Sequence, residues 1–209
     1  MSQGKTGKET NATSLLIFKE RTSPYRTFMF YALVGSSILF MSMVIMFMVW
    51  ITHNEPIENF HFPKTFILGT LLLLFSSYTT TLSQHYYKED SGKYLLLSLS
   101  STLVFSLGFV LCQVLGWKSL FDQGFYLNGD AGIAFVYVIT GLHFIHVSLG
   151  MIYLFYLNLK VFDLLNDPVR SLLYFSNQFE GIRLDLFATY WHFIDGLWLF
   201  LFLTFLFIL

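Results

Sequence analysis

Five stretches without formal charge constrain this chain more than anything else in its sequence, because each approaches or exceeds the roughly 20 residues a helix needs to cross a hydrocarbon layer of about 30 Å. They run between Arg26 and His53, from Thr65 to Gln84, from Tyr94 to Trp117, from Ala131 to Leu159 and from Leu186 to Leu209, the last carrying His192 and one acid, Asp195. Only 12% of the 209 residues are charged and 55% are hydrophobic, too few charges to cover a water-facing surface, so lipid is part of the solvent. The expected fold is all-α: an integral membrane bundle of five transmembrane helices over about 28–51, 64–87, 94–117, 131–160 and 186–209. A polar segment, 1–27, precedes the 28–209 transmembrane domain, and its start, Met1 to Asn11, is expected to be mobile.

Loop charges set the orientation, since Lys and Arg are held on the cytoplasmic side. Lys5, Lys8, Lys19, Arg21, Arg26, Lys88, Lys93, Lys160, Arg170 and Arg183 share one side of the bundle. Only Lys64 and Lys118 fall in the alternate loops, beside Glu55, Glu58, Asp122 and Asp130. The amino terminus is therefore expected in the cytoplasm and the carboxyl terminus in the periplasm. The first 26 residues lack the apolar core of a signal peptide, which leaves insertion to the first helix. The longest connection spans about 161–185 and contains the turn signal Asp167-Pro168. A net charge of −1 excludes a nucleic-acid partner, and a single cysteine, Cys112, excludes a disulfide framework or paired-thiol site.

Ionisable side chains at membrane depth usually face the bundle interior and have a partner. His143 and His146 lie three residues apart on the fourth helix, about 21 Å from Lys160 for His146 at 1.5 Å per residue, which is near mid-membrane. His192 and Asp195 are likewise three apart on the fifth, and Asp185 lies two turns before His192, at the expected cytoplasmic boundary. These five residues read either as an interior hydrogen-bonded network or as groups that bind a ligand or carry protons. The run Ser76, Ser77, Thr79, Thr80, Thr81 reads as helix-packing glue or as a proton wire. His143 or His146 facing His192 also leaves open a free-standing b-type cytochrome. A small transporter is the other distant alternative, against which the lack of inverted halves counts. No zinc, nucleophile or phosphate-loop motif is present, so no catalytic or metal residue is assigned.

The segments Gly141-Leu142-His143-Phe144-Ile145-His146-Val147 and Tyr190-Trp191-His192-Phe193-Ile194-Asp195-Gly196-Leu197-Trp198-Leu199-Phe200 closely resemble the G-x-H-x-x-H-V and Y-W-H-F-x-D-x-x-W-L-F segments of cytochrome c oxidase subunit III. Leu73 to Ser77 resembles that family's serine-containing helix, and Gln113 with Trp117 resembles its Q-x-x-E-W end. Order and spacing agree from Phe28 to Leu209, and the chain looks like the five-helix bacterial form that lacks the family's first two helices. Two acids common in the family are absent: Ser36-Ser37-Ile38 stands where an S-E-V-type segment carries a buried glutamate, and Gly116 replaces the glutamate of Q-x-x-E-W. Asp185 stands where a glutamate is common.

The resemblance implies an accessory, non-catalytic subunit of a haem–copper oxidase in the bacterial cytoplasmic membrane. Such a subunit packs on catalytic subunit I beside other respiratory subunits, holds phospholipid and supports proton uptake and durability during oxygen reduction. Haem and copper belong to the partner subunits, and no cofactor is expected on this chain. It further implies that Tyr190, Trp191, Trp198, Gln113 and Trp117 pack lipid or neighbouring helices. A subunit III of a quinol oxidase, or a homologue associated with nitric-oxide reductase, fits the same residues.

Overall fold

The computed structural model describes residues 3–54, 63–127, 129 and 131–208. Three of the loop acids, Glu55, Glu58 and Asp130, lie outside the described residues. Six helices follow one another: α1 (Gln3–His53), α2 (Lys64–Lys88), α3 (Gly92–Asp122), α4 (Ala131–Leu164), α5 (Pro168–Ser176) and α6 (Gln178–Ile208), with no strand among the described residues. Five segments are long and apolar enough to cross a membrane: Pro24–His53 of α1, and α2, α3, α4 and α6. The 31 residues of α3 and α6 and the 34 of α4 reach roughly 46 to 51 Å, well beyond the hydrocarbon layer.

Helix ends differ from the charge-free runs for identifiable reasons. The backbone of the polar start is helical: α1 runs from Gln3, and its membrane-length part begins at Pro24. The expected connection over 161–185 is almost all helix. The Asp167 carboxylate accepts from the backbone N–H of Val169 at 3.0 Å and of Arg170 at 3.3 Å, capping α5 where Pro168 needs no donor. One residue later Asn177 Oδ1 accepts from Phe179 N–H at 3.0 Å and starts α6. α6 thus begins at Gln178, two turns before Leu186, and Asp185 lies within it.

A three-residue turn joins α2 to α3. Ser91 N–H donates to the Tyr86 carbonyl at 3.0 Å, and Asp90 N–H to that of Tyr87 at 3.2 Å. Asp90 adopts φ +53°, a left-handed conformation that aspartate tolerates better than most residues. So short a turn makes the two helices antiparallel neighbours, and they pack along their length. α6 lies against α1, α2 and α4, whereas α1 packs chiefly on α4 and α6.

Two apolar cores result. Nearer the carboxyl terminus, Phe40, Phe47, Phe66, Phe109, Trp198 and Phe205 interlock across α1, α2, α3 and α6. Nearer the α2–α3 turn, Leu95, Leu99, Leu154, Leu184, Phe187 and Trp191 form the second. Glycine allows close approach at two points. A Cβ at Gly150 would meet the Trp191 ring at 2.9 Å, and one at Gly116 would overlap the Phe66 ring. The family glutamate missing at Gly116 therefore has its space filled by Phe66.

Candidate functional site

Hydroxyls of α2 receive the indoles of α6. Thr70 donates its own proton to the Phe66 carbonyl at 2.8 Å, which leaves its lone pairs for the Trp198 indole N–H at 3.0 Å. Ser106 donates to the Thr102 carbonyl at 2.6 Å, so Ser76 donates to Ser106 at 3.2 Å and accepts from the Trp191 indole at 3.0 Å. Both tryptophans are buried inside the bundle. Trp117 follows the same pattern on the other side, donating to Thr140 at 3.0 Å, and Tyr190 donates its hydroxyl to the His146 carbonyl at 3.0 Å. Gln113 is buried with neither amide atom hydrogen-bonded.

The ionisable residues do not form one network. His143 is fully buried, its ring between Trp198 (centroids 5.0 Å apart) and Phe109 (5.9 Å), and neither ring nitrogen has a partner. His146 turns the other way, toward α1: Nδ1 lies 2.9 Å from the Leu142 carbonyl, Nε2 lies 3.3 Å from Ser36 Oγ, and the ring meets Phe40 edge-on. His192 faces α2, with Nδ1 2.8 Å from Ser77 Oγ and Nε2 3.4 Å from Thr81 Oγ1. Asp195 does not bond His192 as the three-residue spacing suggested. Its short side chain is buried beside the Ser77 hydroxyl, and neither carboxylate oxygen completes a hydrogen bond. Asp185 is exposed and accepts from Gln84 Nε2 at 3.0 Å.

The three histidines thus turn toward three different neighbours: His143 to Phe109 and Trp198, His146 to α1 and His192 to α2. Among the described residues no group of three or more His, Cys, Asp or Glu is gathered to hold a metal ion.

Sequence reasoning missed a charged cluster at the α2–α3-turn end. Lys160 of α4 donates to Glu180 of α6 at 2.6 Å, and Arg183 donates to the other Glu180 oxygen at 3.1 Å. Glu180 is 9% exposed, and the Lys160 ammonium also lies 5.3 Å from the Tyr174 ring centre. Burial and the adjacent Glu180 charge push the Tyr174 hydroxyl well above the usual phenol range. The available signal was Glu180 three residues before Arg183, an opposite-charge pair at helical spacing. Beside this cluster a groove of about 370 Å³ opens between α1, α4 and α6, lined by Tyr25, Met29, Tyr153, Arg183, Phe187 and Tyr190 among others.

Five helices long and apolar enough to cross a membrane, joined in part by indole–hydroxyl bonds, define a multi-pass membrane protein. Residues 15–208 match the sequence model of cytochrome c oxidase subunit III, and the chain belongs to that family. Cytochrome c oxidase subunit 3 of Myxine glutinosa is 30% identical over 149 residues, which cover 71% of this chain and 51% of that protein. The probable quinol oxidase subunit 3 of Staphylococcus saprophyticus is 28% identical over 145 residues, 69% of this chain and 67% of its own. Cytochrome c oxidase subunit 3 of Pylaiella littoralis is 34% identical over 138 residues, 66% of this chain and 46% of that protein. The matched stretch thus spans about half the length of the two cytochrome c oxidase relatives.

Proposed function

We propose that this chain is an accessory, non-catalytic subunit of a terminal haem–copper cytochrome c oxidase. In this reading it packs on the catalytic subunit in the bacterial cytoplasmic membrane, amino terminus inside, and supports proton uptake and durability while the complex reduces oxygen. The family match over residues 15–208 carries the reading. Histidines committed to Ser36, to Ser77 and to the Phe109–Trp198 pair support placing haem and copper in partner subunits. The groove beside Arg183 supports phospholipid binding: its walls suit an acyl chain, and a guanidinium at its edge suits a phosphate.

A tag on this chain tests the reading. The complex recovered from membranes should contain other oxidase subunits by mass spectrometry and show haem absorbance, while the chain purified alone shows no Soret band. A Soret band from the isolated chain, or recovery without any haem protein, overturns it.

The quinol oxidase reading is favoured by one observation, the Staphylococcus saprophyticus relative matched over comparable fractions of both chains. Oxidation of reduced cytochrome c by the purified complex, against oxidation of a quinol, separates the two.

A further inference from the structure

Two sets of polar groups on α2 meet α6. Thr70 and Ser76 are closed by indoles, whereas Ser77, Thr81 and the amide of Gln84, on another face of the same helix, meet His192 and Asp185 of α6. This seam opens where Asp185 and Thr81 are exposed, half-closes at His192, and ends at Asp195, a carboxyl only 5% exposed and beside Ser77.

We propose that Asp195 is a proton-binding site that exchanges its proton with water at the Asp185 end of the seam through Ser77, His192 and Thr81. An ionised carboxylate buried without a cation is far costlier than the neutral acid, so the group is carried protonated. Among the described residues the polar group acting on it is the Ser77 hydroxyl. The α2 side of the seam supplies only uncharged groups, α6 supplies His192 and Asp185, and on the α1 side Ser37 shares a groove with His192. On α4, His143 turns its ring to Phe109 and Trp198.

Hydroxyls and a neutral imidazole each donate and accept, so a proton entering one side can leave by the other. When the carboxyl turns onto the Ser77 hydroxyl beside it, the Asp195 O–H gives its proton to Ser77 Oγ while the Ser77 proton passes to His192 Nδ1. The Nε2 proton then leaves toward Thr81 and water at the Asp185 carboxylate. Only O–H and N–H bonds break and form, no electrons move, and the reverse sequence restores the acid. From Thr81 to Gln84 the seam rises about 4.5 Å along α2, a step one water bridges. The exchange is a property of this chain and does not rest on which oxidase it joins, so its failure would leave the proposed function standing.

Infrared spectra of the full-length protein in lipid bilayers test it, as wild type minus Asp195→Asn. A carboxylic-acid carbonyl band should appear, return at a shifted position in Asp195→Glu, and move on transfer to heavy water. The rate of that move should fall at least roughly tenfold in Ser77→Ala and in His192→Phe, the effect of one broken relay in a buried site. Thr204→Ala, which removes a half-buried hydroxyl bonded to the Phe200 carbonyl of its own helix, should leave it unchanged. Absence of any Asp195-dependent acid band overturns the proposal, and so does an exchange rate indifferent to both relay variants in protein whose circular dichroism matches wild type.

Discussion

Trp198 on α6 gives its indole proton to the Thr70 hydroxyl on α2 at 3.0 Å, and Thr70 is free to accept because its own proton is already spent on the Phe66 carbonyl. Replacing Thr70 by Val keeps the volume and strands a buried N–H. The loss should be about 1 kcal/mol, since hydrogen bonds within membranes are worth little more than those in water. Ser76→Ala, which strands the Trp191 indole, should cost a similar amount, and the double variant about the sum, because the two bonds share no partner. Unfolding in mixed micelles followed by tryptophan fluorescence reads both.

The two positions where the family commonly carries an acid should respond oppositely. Gly116 lies against the Phe66 ring, so Gly116→Ala forces the ring aside at a cost of about 1–3 kcal/mol, and Gly116→Glu should fail to accumulate. Ser37 lines a groove of about 340 Å³ shared with His192, and Ser37→Glu should accumulate at the wild-type level. Immunoblots of membranes with size-exclusion profiles compare the two.

The Lys160–Glu180 bridge is mostly buried, with side-chain exposures of 24% and 10%. Lys160→Met leaves Glu180 with Arg183 alone and should destabilise by about 1–3 kcal/mol, less than a fully buried pair because water still reaches the ammonium. Adding Glu180→Leu should recover most of the loss, since an apolar pair of similar size has no charge to desolvate. Thermal unfolding in detergent gives the comparison.

α1 should be the first span to loosen. The membrane-length part of α1 buries the smallest share of its apolar window, 17%, and a specific polar tie from its side chains to the bundle is Ser36 to His146 at 3.3 Å. In hydrogen exchange its amides should exchange ahead of those of α3, and Ser36→Ala should widen the gap.

Much of the architecture follows from charge-free length alone. Phe28 to Trp50 or Tyr94 to Trp117 cannot be anything but spans once water is excluded as their solvent. Helix ends were less legible, because Asp167, Asn177 and Glu180 extend helices through charged sequence by local capping and pairing, which hydropathy does not register. Of the candidate residues, Trp191, Trp198 and His143 lie in the interior. His192 and Asp195 share a face of α6 without bonding each other, since about 60° around the helix axis still separates them. That offset turns the imidazole to the half-open α2 seam and the shorter carboxyl into the core. Nothing in the sequence told which serine would serve an indole and which an imidazole; Ser76 and Ser77 are neighbours, and one helical step of about 100° separates their duties.

The order of synthesis and the order of packing run against each other in this bundle. Of these five spans α1 leaves the ribosome first, yet its docking partners are α4 and α6, the fourth and fifth to be made. α2 and α3, joined by three residues, close on each other as soon as both are in the bilayer. Nascent chains halted before Gln178 should therefore hold a finished hairpin beside a first helix that crosslinkers still reach on the face α6 will cover.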